Sequence, residues 1–330
     1  MRVAKPTSGR QNLRMTTEPP ARAETRRPDP LPALLAPLAC AEPLYRWAVA
    51  RRNAAFDRGE RVWRAPFPVV SVGNLSVGGS GKSPVVARLA RELLAHHRRP
   101  VIVMRGYRKR AGQPSDEEAE YAEAAPGVPV LAAPDRAGAI ASFHAGGGRA
   151  DCALLDDGFQ HRFVARDLDI VLVDATRDPF ADRCLPAGWL REPVESLRRA
   201  HAVVVTRADL VDRRTLDALR GAIARGAPGA LLASCAHRWS RVDAFGEREG
   251  REPPEFLERR RVFVLSGIGN PGALRRQVER ARAMVVGERA LRDHAHYTPG
   301  LVSAITGEAQ RAGGEFVLTT AMDWVTIRPL

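Results

Sequence analysis

At 330 residues the chain has room for two domains of ordinary size, and a hydrophobic content of 45% supports sizeable cores. Lys and Arg total 51 against 38 Asp and Glu, and the net charge of +13 points to an anionic partner: nucleic acid, an anionic membrane surface or a phosphorylated substrate. Cys40, Cys152, Cys184 and Cys235 stand singly, which argues against a C-x-x-C zinc site or a disulfide framework, and no run has the length of a transmembrane helix.

Residues 1–29 are rich in Arg, Pro, Thr and Glu and are expected to form a disordered basic tail, without the apolar core and cleavage site of a secretory signal. Residues 30–60 follow as a short apolar stretch with two prolines and then Leu44, Trp47, Ala48 and Arg51 at helical spacing. Arg46, Arg51 and Arg52 flank that stripe, with Tyr45 beside it. Two readings stand. One is an amphipathic helix lying in an anionic membrane interface; the other is a helix packed on the domain core.

A P-loop core is expected over 61–237. Phe67-Pro-Val-Val-Ser-Val72 has the length and β-branched content of a buried strand. Pro84-Val-Val-Ala-Arg-Leu-Ala-Arg-Glu-Leu-Leu94 has helical spacing. Between them lies a Gly-rich turn ending in Gly81-Lys82-Ser83. Strand, turn and helix in that order are the setting of a phosphate-binding loop, where backbone N–H groups and a helix N-terminus receive an anion. The usual pattern G-x-x-x-x-G-K-[ST] wants Gly at position 76, which Ser76 occupies. The chain has lysine only at Lys5, Lys82 and Lys109, so a Lys after Gly81 in an Arg-rich sequence suggests a compact ammonium is needed there. Lys82 would reach the β/γ-phosphates and Ser83 would ligate Mg²⁺.

The next strand, Pro100–Met104, ends in Arg105-Gly-Tyr107. Ser115-Asp-Glu-Glu118 is expected in a solvated loop. Further strands follow at 128–131, 151–155, 168–173 and 201–205, with helices from Asp135 and over 212–225. This alternation predicts a parallel sheet covered on both faces. Asp156 and Asp157 close an apolar strand downstream of the loop, where carboxylates usually complete a nucleotide–Mg²⁺ site; an Asp-Gly turn is the alternative. Residues 238–260 are dense in charge and proline and are expected to be a linker. A smaller C-terminal α/β lobe is expected over 261–330, with strands at 261–265, 283–286 and 315–318 and helices from Pro271 and over 299–311.

These segments together resemble one family. Val72-Gly-Asn-Leu-Ser-Val-Gly-Gly-Ser-Gly-Lys-Ser-Pro84, Arg105-Gly-Tyr107, Asp116-Glu117, Asp156-Asp-Gly-Phe-Gln-His161, Leu185-Pro-Ala-Gly188 with Leu190-Arg-Glu-Pro193, Gly267-Ile-Gly-Asn-Pro271 and Asp293-His294 are similar to the tetraacyldisaccharide 4'-kinase family over residues 31–330. The resemblance implies a P-loop NTPase-like fold. It implies an enzyme that uses ATP and Mg²⁺ to phosphorylate the 4'-hydroxyl of an acylated glucosamine disaccharide 1-phosphate. That enzyme would work peripherally at the cytoplasmic face of the bacterial inner membrane. It places nucleotide on Ser76, Val77, Gly78, Gly79, Ser80, Gly81, Lys82 and Ser83, and metal on Ser83, Asp156 and Asp157. It gives Asp116 the role of base, His294 that of its partner and Lys82 that of catalytic cation. Arg105, Glu117, His161 and Arg191 would meet the substrate. The family's hydroxyl residue at position 76 is kept here. Its C-terminal Thr-Glu-Lys-Asp reads Thr320-Ala-Met-Asp323. Without the resemblance, charge and loop also fit a P-loop ATPase or switch acting at the membrane or on nucleic acid, or a peripheral protein that binds nucleotide without catalysis. No nucleic-acid module is recognisable, so no nucleic acid is expected as partner. Oligomeric state stays open.

Overall fold

The structure is a computed structural model that describes residues 39–106, 115–246, 249–292 and 295–330. The described chain up to His237, together with Trp324–Pro329, forms one compact unit, and Arg238–Asp323 belong to a second.

The first unit is built on a seven-stranded parallel sheet. Its strands are β1 (Val69–Asn74), β2 (Pro100–Met104), β3 (Val130–Ala132), β4 (Cys152–Asp156), β5 (Leu168–Asp174), β6 (Ala202–Thr206) and β7 (Leu231–Ser234), in the order β3-β2-β4-β1-β5-β6-β7. The pleat splits their apolar residues between two faces. Ile102, Met104, Leu154, Ile170 and Leu172 pack with α2 (Lys82–Ala95) and α3 (Asp116–Ala124). Val101, Val103, Ala153 and Leu155 pack with α4 (Arg136–Ala145), and Val171, Val173, Val203 and Val205 with α5 (Arg213–Gly226). Strands buried on both faces read as continuous apolar runs, which is why the sequence reveals them. The topology puts β1 in the middle. The chain leaves β1 toward β2 on one side and later returns as β5 on the other, so the loop after β1 sits at the switch point where open α/β sheets bind ligands.

Two stretches of this unit differ from the sequence expectation. Ser115–Glu118 is not a loop but the start of α3. The Ser115 side chain accepts from Glu118 N, and the Glu118 carboxylate accepts from Ser115 N at 2.8 Å. This is a capping box, and Ser-x-x-Glu is its sequence signature. The edge strand β7 was not expected either.

The helix at the start of the described chain, α1 (Glu42–Asp57), carries features of both readings given above. Val49 and Phe56 are buried, Asn53 bonds Glu192 at 2.8 Å, and the Tyr45 hydroxyl donates to the Arg191 carbonyl at 2.8 Å. Its other face presents Leu44 and Trp47, 66% and 59% exposed, with the Arg51 guanidinium 5.8 Å from the Trp47 ring centre.

The second unit holds a parallel three-stranded sheet. Its strands are β10 (Arg261–Ser266), β11 (Met284–Ala290) and β12 (Phe316–Leu318), in the order β11-β10-β12. Within 238–260, β8 (Val242–Ala244) pairs antiparallel with β9 (Gly250–Glu252), and Leu257 is buried with Val262, Val264 and Leu274. That stretch is therefore part of a folded unit. In Thr320-Ala-Met-Asp323 the two residues kept from the family pattern are hydrogen-bonded to each other. Buried Asp323 accepts from the Tyr297 hydroxyl at 2.9 Å, from Gly267 N at 3.1 Å and from the Thr320 hydroxyl at 2.8 Å. The two retained residues carry the network, whereas Ala321 is exposed.

Candidate active site

The loop after β1 begins in an extended conformation. Ser76 bridges Leu190, Val77 N donates to the Trp189 carbonyl at 2.7 Å, and Arg191 N donates to the Leu75 carbonyl at 2.7 Å. Ser76 needs no left-handed backbone here, which is the physical reason glycine is dispensable at that position. Glycine is required where the chain closes in. At Gly73 a Cβ would lie 2.5 Å from the Phe159 Cβ. Gly81 has φ +81° and abuts the His237 ring, where an added Cβ would lie 2.0 Å away. Behind the loop, Thr206 donates to the Ser80 carbonyl at 3.0 Å and Arg207 to the Gly79 carbonyl at 3.0 Å. Gly81 then caps α2 without a side-chain acceptor, so the first-turn N–H groups are left for an anion.

Lys82 opens α2. Its ammonium lies 3.3 Å from Asn74 Oδ1 and 3.4 Å from Asp157 Oδ1. Arg191 binds the other Asp157 oxygen at 2.7 Å. Burial pushes the Asp157 carboxyl up, but Lys82 and Arg191 outweigh it and hold the group well below the usual carboxylate range. Asp157 itself is at φ +50°.

Asp156 differs from its neighbour. Burial raises its pKa despite Lys82 nearby. Oδ2 accepts from the Tyr121 hydroxyl at 2.9 Å, and Oδ1 is buried with no hydrogen-bond partner. Ser83 also neighbours Tyr121. An orphaned carboxylate oxygen near a loop hydroxyl suits Mg²⁺, which takes one or two carboxylates and keeps its remaining positions for water and phosphate. Among the described residues no three His, Cys, Asp or Glu side chains are grouped to hold a metal ion.

Arg105, Glu117 and His161 share one electrostatic neighbourhood around Arg136. This buried arginine, which sequence reasoning missed, donates to the Asp157 carbonyl at 3.2 Å. No sequence signal separates it from the many other arginines. Burial lowers the His161 pKa to about 4, helped by the charges of Arg136 and Arg166, so the ring is neutral at pH 7. Asp116 is the first residue of α3, adjacent to Glu117; its side chain and His294 lie outside the described residues.

His161 carries a pH dependence. Its folded pKa is depressed below the unfolded value, so the unfolded chain takes up the proton first as pH falls. The contribution is intact above pH ~6.5 and is lost between there and the folded value. A His161→Gln variant should lose less stability than the wild type over that window, by at most about 3 kcal/mol. Chemical denaturation at pH 7, 5.5 and 4 measures it; parallel curves would contradict the buried neutral imidazole.

A family model described as Tetraacyldisaccharide-1-P 4'-kinase matches residues 31–330. The chain belongs to this family. A tetraacyldisaccharide 4'-kinase of Anaeromyxobacter dehalogenans strain 2CP-C is 40% identical over 92% of this chain and 84% of its own length. One from Chlorobium limicola is 32% identical over 88% of this chain and 86% of its own. The crystal structure of LpxK from Aquifex aeolicus in complex with ATP superposes with a TM-score of 0.62 at 29% identity, covering 89% of this chain and 90% of that one. The 4'-kinase family is thus matched across both units.

Proposed function

We propose that this chain transfers the γ-phosphoryl group of ATP to the 4'-hydroxyl of an acylated glucosamine disaccharide 1-phosphate, giving lipid IVA for lipid A synthesis. The observation that carries this is the convergence of Lys82, Ser83, Asp156, Asp157 and Arg191 at the switch point, in a chain whose family has that activity. Phosphoryl transfer asks for alignment and charge neutralisation more than covalent chemistry. The sugar oxygen attacks the γ-phosphorus, the bond to the β-bridging oxygen breaks, and the hydroxyl proton passes to a base. Lys82 would neutralise the triphosphate, and the N–H groups of the loop and of α2 would hold it. Asp116 would take the proton and His294 would orient it. Arg105, Arg191, Glu117 and neutral His161 would meet the sugar phosphate. Mg²⁺ when bound would supply further charge neutralisation, held by Ser83 and Asp156, while Asp157 stays engaged with Arg191. Transfer of label from γ-labelled ATP to tetraacyldisaccharide 1-phosphate tests the reading. Label on the 4'-position is the expected product; nucleic-acid-stimulated ATP hydrolysis without lipid transfer would overturn it.

The exposed face of α1 we assign to the membrane surface. Leu44 and Trp47 are apolar, Arg46 and Arg51 border them, and no described helix is long and apolar enough to cross a bilayer. Removing α1 would also tear out Val49 and Phe56, so substitution is the cleaner test. Leu44→Ser with Trp47→Ser should weaken binding to anionic vesicles several-fold without loss of fold, and high salt should weaken the wild type. Unchanged vesicle binding by the double variant would put the lipid contact elsewhere.

A further inference from the structure

Tyr121 lies on α3, outside every motif that marks the family. It is 1% exposed, and its ring packs in the cluster that holds Val72, Val86, Ile102 and Leu154. An apolar residue would fill that space, so the hydroxyl needs its own explanation. It reaches a side chain assigned to Mg²⁺: it donates to Asp156 Oδ2 at 2.9 Å, and Ser83 neighbours it.

The phenol has one proton, and it goes to Asp156. Asp156 has Oδ2 occupied and Oδ1 without a partner. The Tyr121 bond thus fixes the carboxylate and leaves Oδ1 for a cation. Tyr121 is also five positions along the same helix from Asp116, a rise of about 7.5 Å. Its bond to Asp156 therefore ties the helix that begins at Asp116 to the end of β4.

We infer that Tyr121 is a positioning residue for the nucleotide-bound divalent cation, acting through Asp156 without touching the cation. The inference rests on the assignment of Asp156 to the metal. Partners of this kind fix ligand orientation, and their loss usually weakens metal binding ten- to a hundredfold.

The test uses the full chain, a non-hydrolysable ATP analogue, and Mn²⁺ in place of Mg²⁺, with free Mn²⁺ read by electron paramagnetic resonance. Tyr121→Phe keeps the ring and removes the hydroxyl. Tyr121→Leu is a second, smaller apolar filling should the first fold poorly. Each should weaken Mn²⁺ binding to the enzyme–nucleotide complex by about tenfold. Affinity for the metal-free analogue, and the KM for ATP at saturating metal, should stay within twofold, which a general loosening of the fold would not give. Tyr121→Phe added to Asp156→Ala should cost little beyond Asp156→Ala alone, because the tyrosine acts through that carboxylate. Unchanged Mn²⁺ binding in both Tyr121 variants, with Asp156→Ala impaired, overturns the positioning role and leaves the metal assignment standing. If Asp156→Ala is silent as well, the assignment falls and the inference with it. Additive losses in the double variant also overturn it.

Discussion

Lys82→Ala should lower turnover by about a hundredfold or more, the usual cost of removing one preorganised group from the charge that develops in a transition state. The protein should remain folded, for a specific reason. The Lys82 side chain is only 15% exposed and pairs with Asp157, but that carboxylate keeps Arg191 at 2.7 Å when the lysine is gone. No buried charge is left alone, so the large penalty for breaking a buried pair does not arise. The Lys82 contacts with Asn74 and Asp157, at 3.3 and 3.4 Å, are long for hydrogen bonds, and phosphate oxygens could replace them at little cost. Lys82→Arg should rescue poorly, because a planar fork replaces a compact ammonium. The measurement is kcat on lipid substrate beside the thermal midpoint. A well-folded Lys82→Ala protein with normal turnover would remove the loop from the active site.

The elements around Lys82 were the legible part of the sequence. A β-branched run, a Gly-rich turn and a helix with Pro84 in its first turn are local signals, and the parallel sheet made β1, β2, β4, β5 and β6 plainly apolar. What escaped was set by contacts far apart in the chain. The pairing of Leu75–Val77 with Trp189–Arg191 joins two irregular segments and has no period, so the tolerance for Ser76 could not be explained before the structure. Arg136 looks like any surface arginine until its burial is seen. For α3 the signal was present but weak: the Ser115-x-x-Glu118 box is short, and polar residues dominate the helix. Tyr121 buries its hydroxyl on Asp156, a contact across 35 positions that no spacing rule reports.

The assignment of base and partner is the more exposed part of the proposal, and kinetics can decide it. Asp116→Ala should lower kcat by about 10² to 10⁴, the range for a positioned general base, with little change in the KM for ATP. A sugar hydroxyl holds its proton until the new O–P bond is forming, so a carboxylate in reach acts in the transition state and hardly at all in ATP binding. Asp116 opens α3. A histidine that orients its carboxylate and shares the arriving proton would assist it as a base. His294→Ala should therefore also lower kcat and spare the KM for ATP. The decisive variant is the double one. Residues that work as one unit lose most of their effect with the first substitution, so the pair of changes should be little worse than the worse single change. Losses that multiply would show that the two side chains act in separate steps. In that case Asp116 could still be the base, and His294 would have to be assigned to binding the sugar phosphate, where its removal should raise the KM for lipid instead.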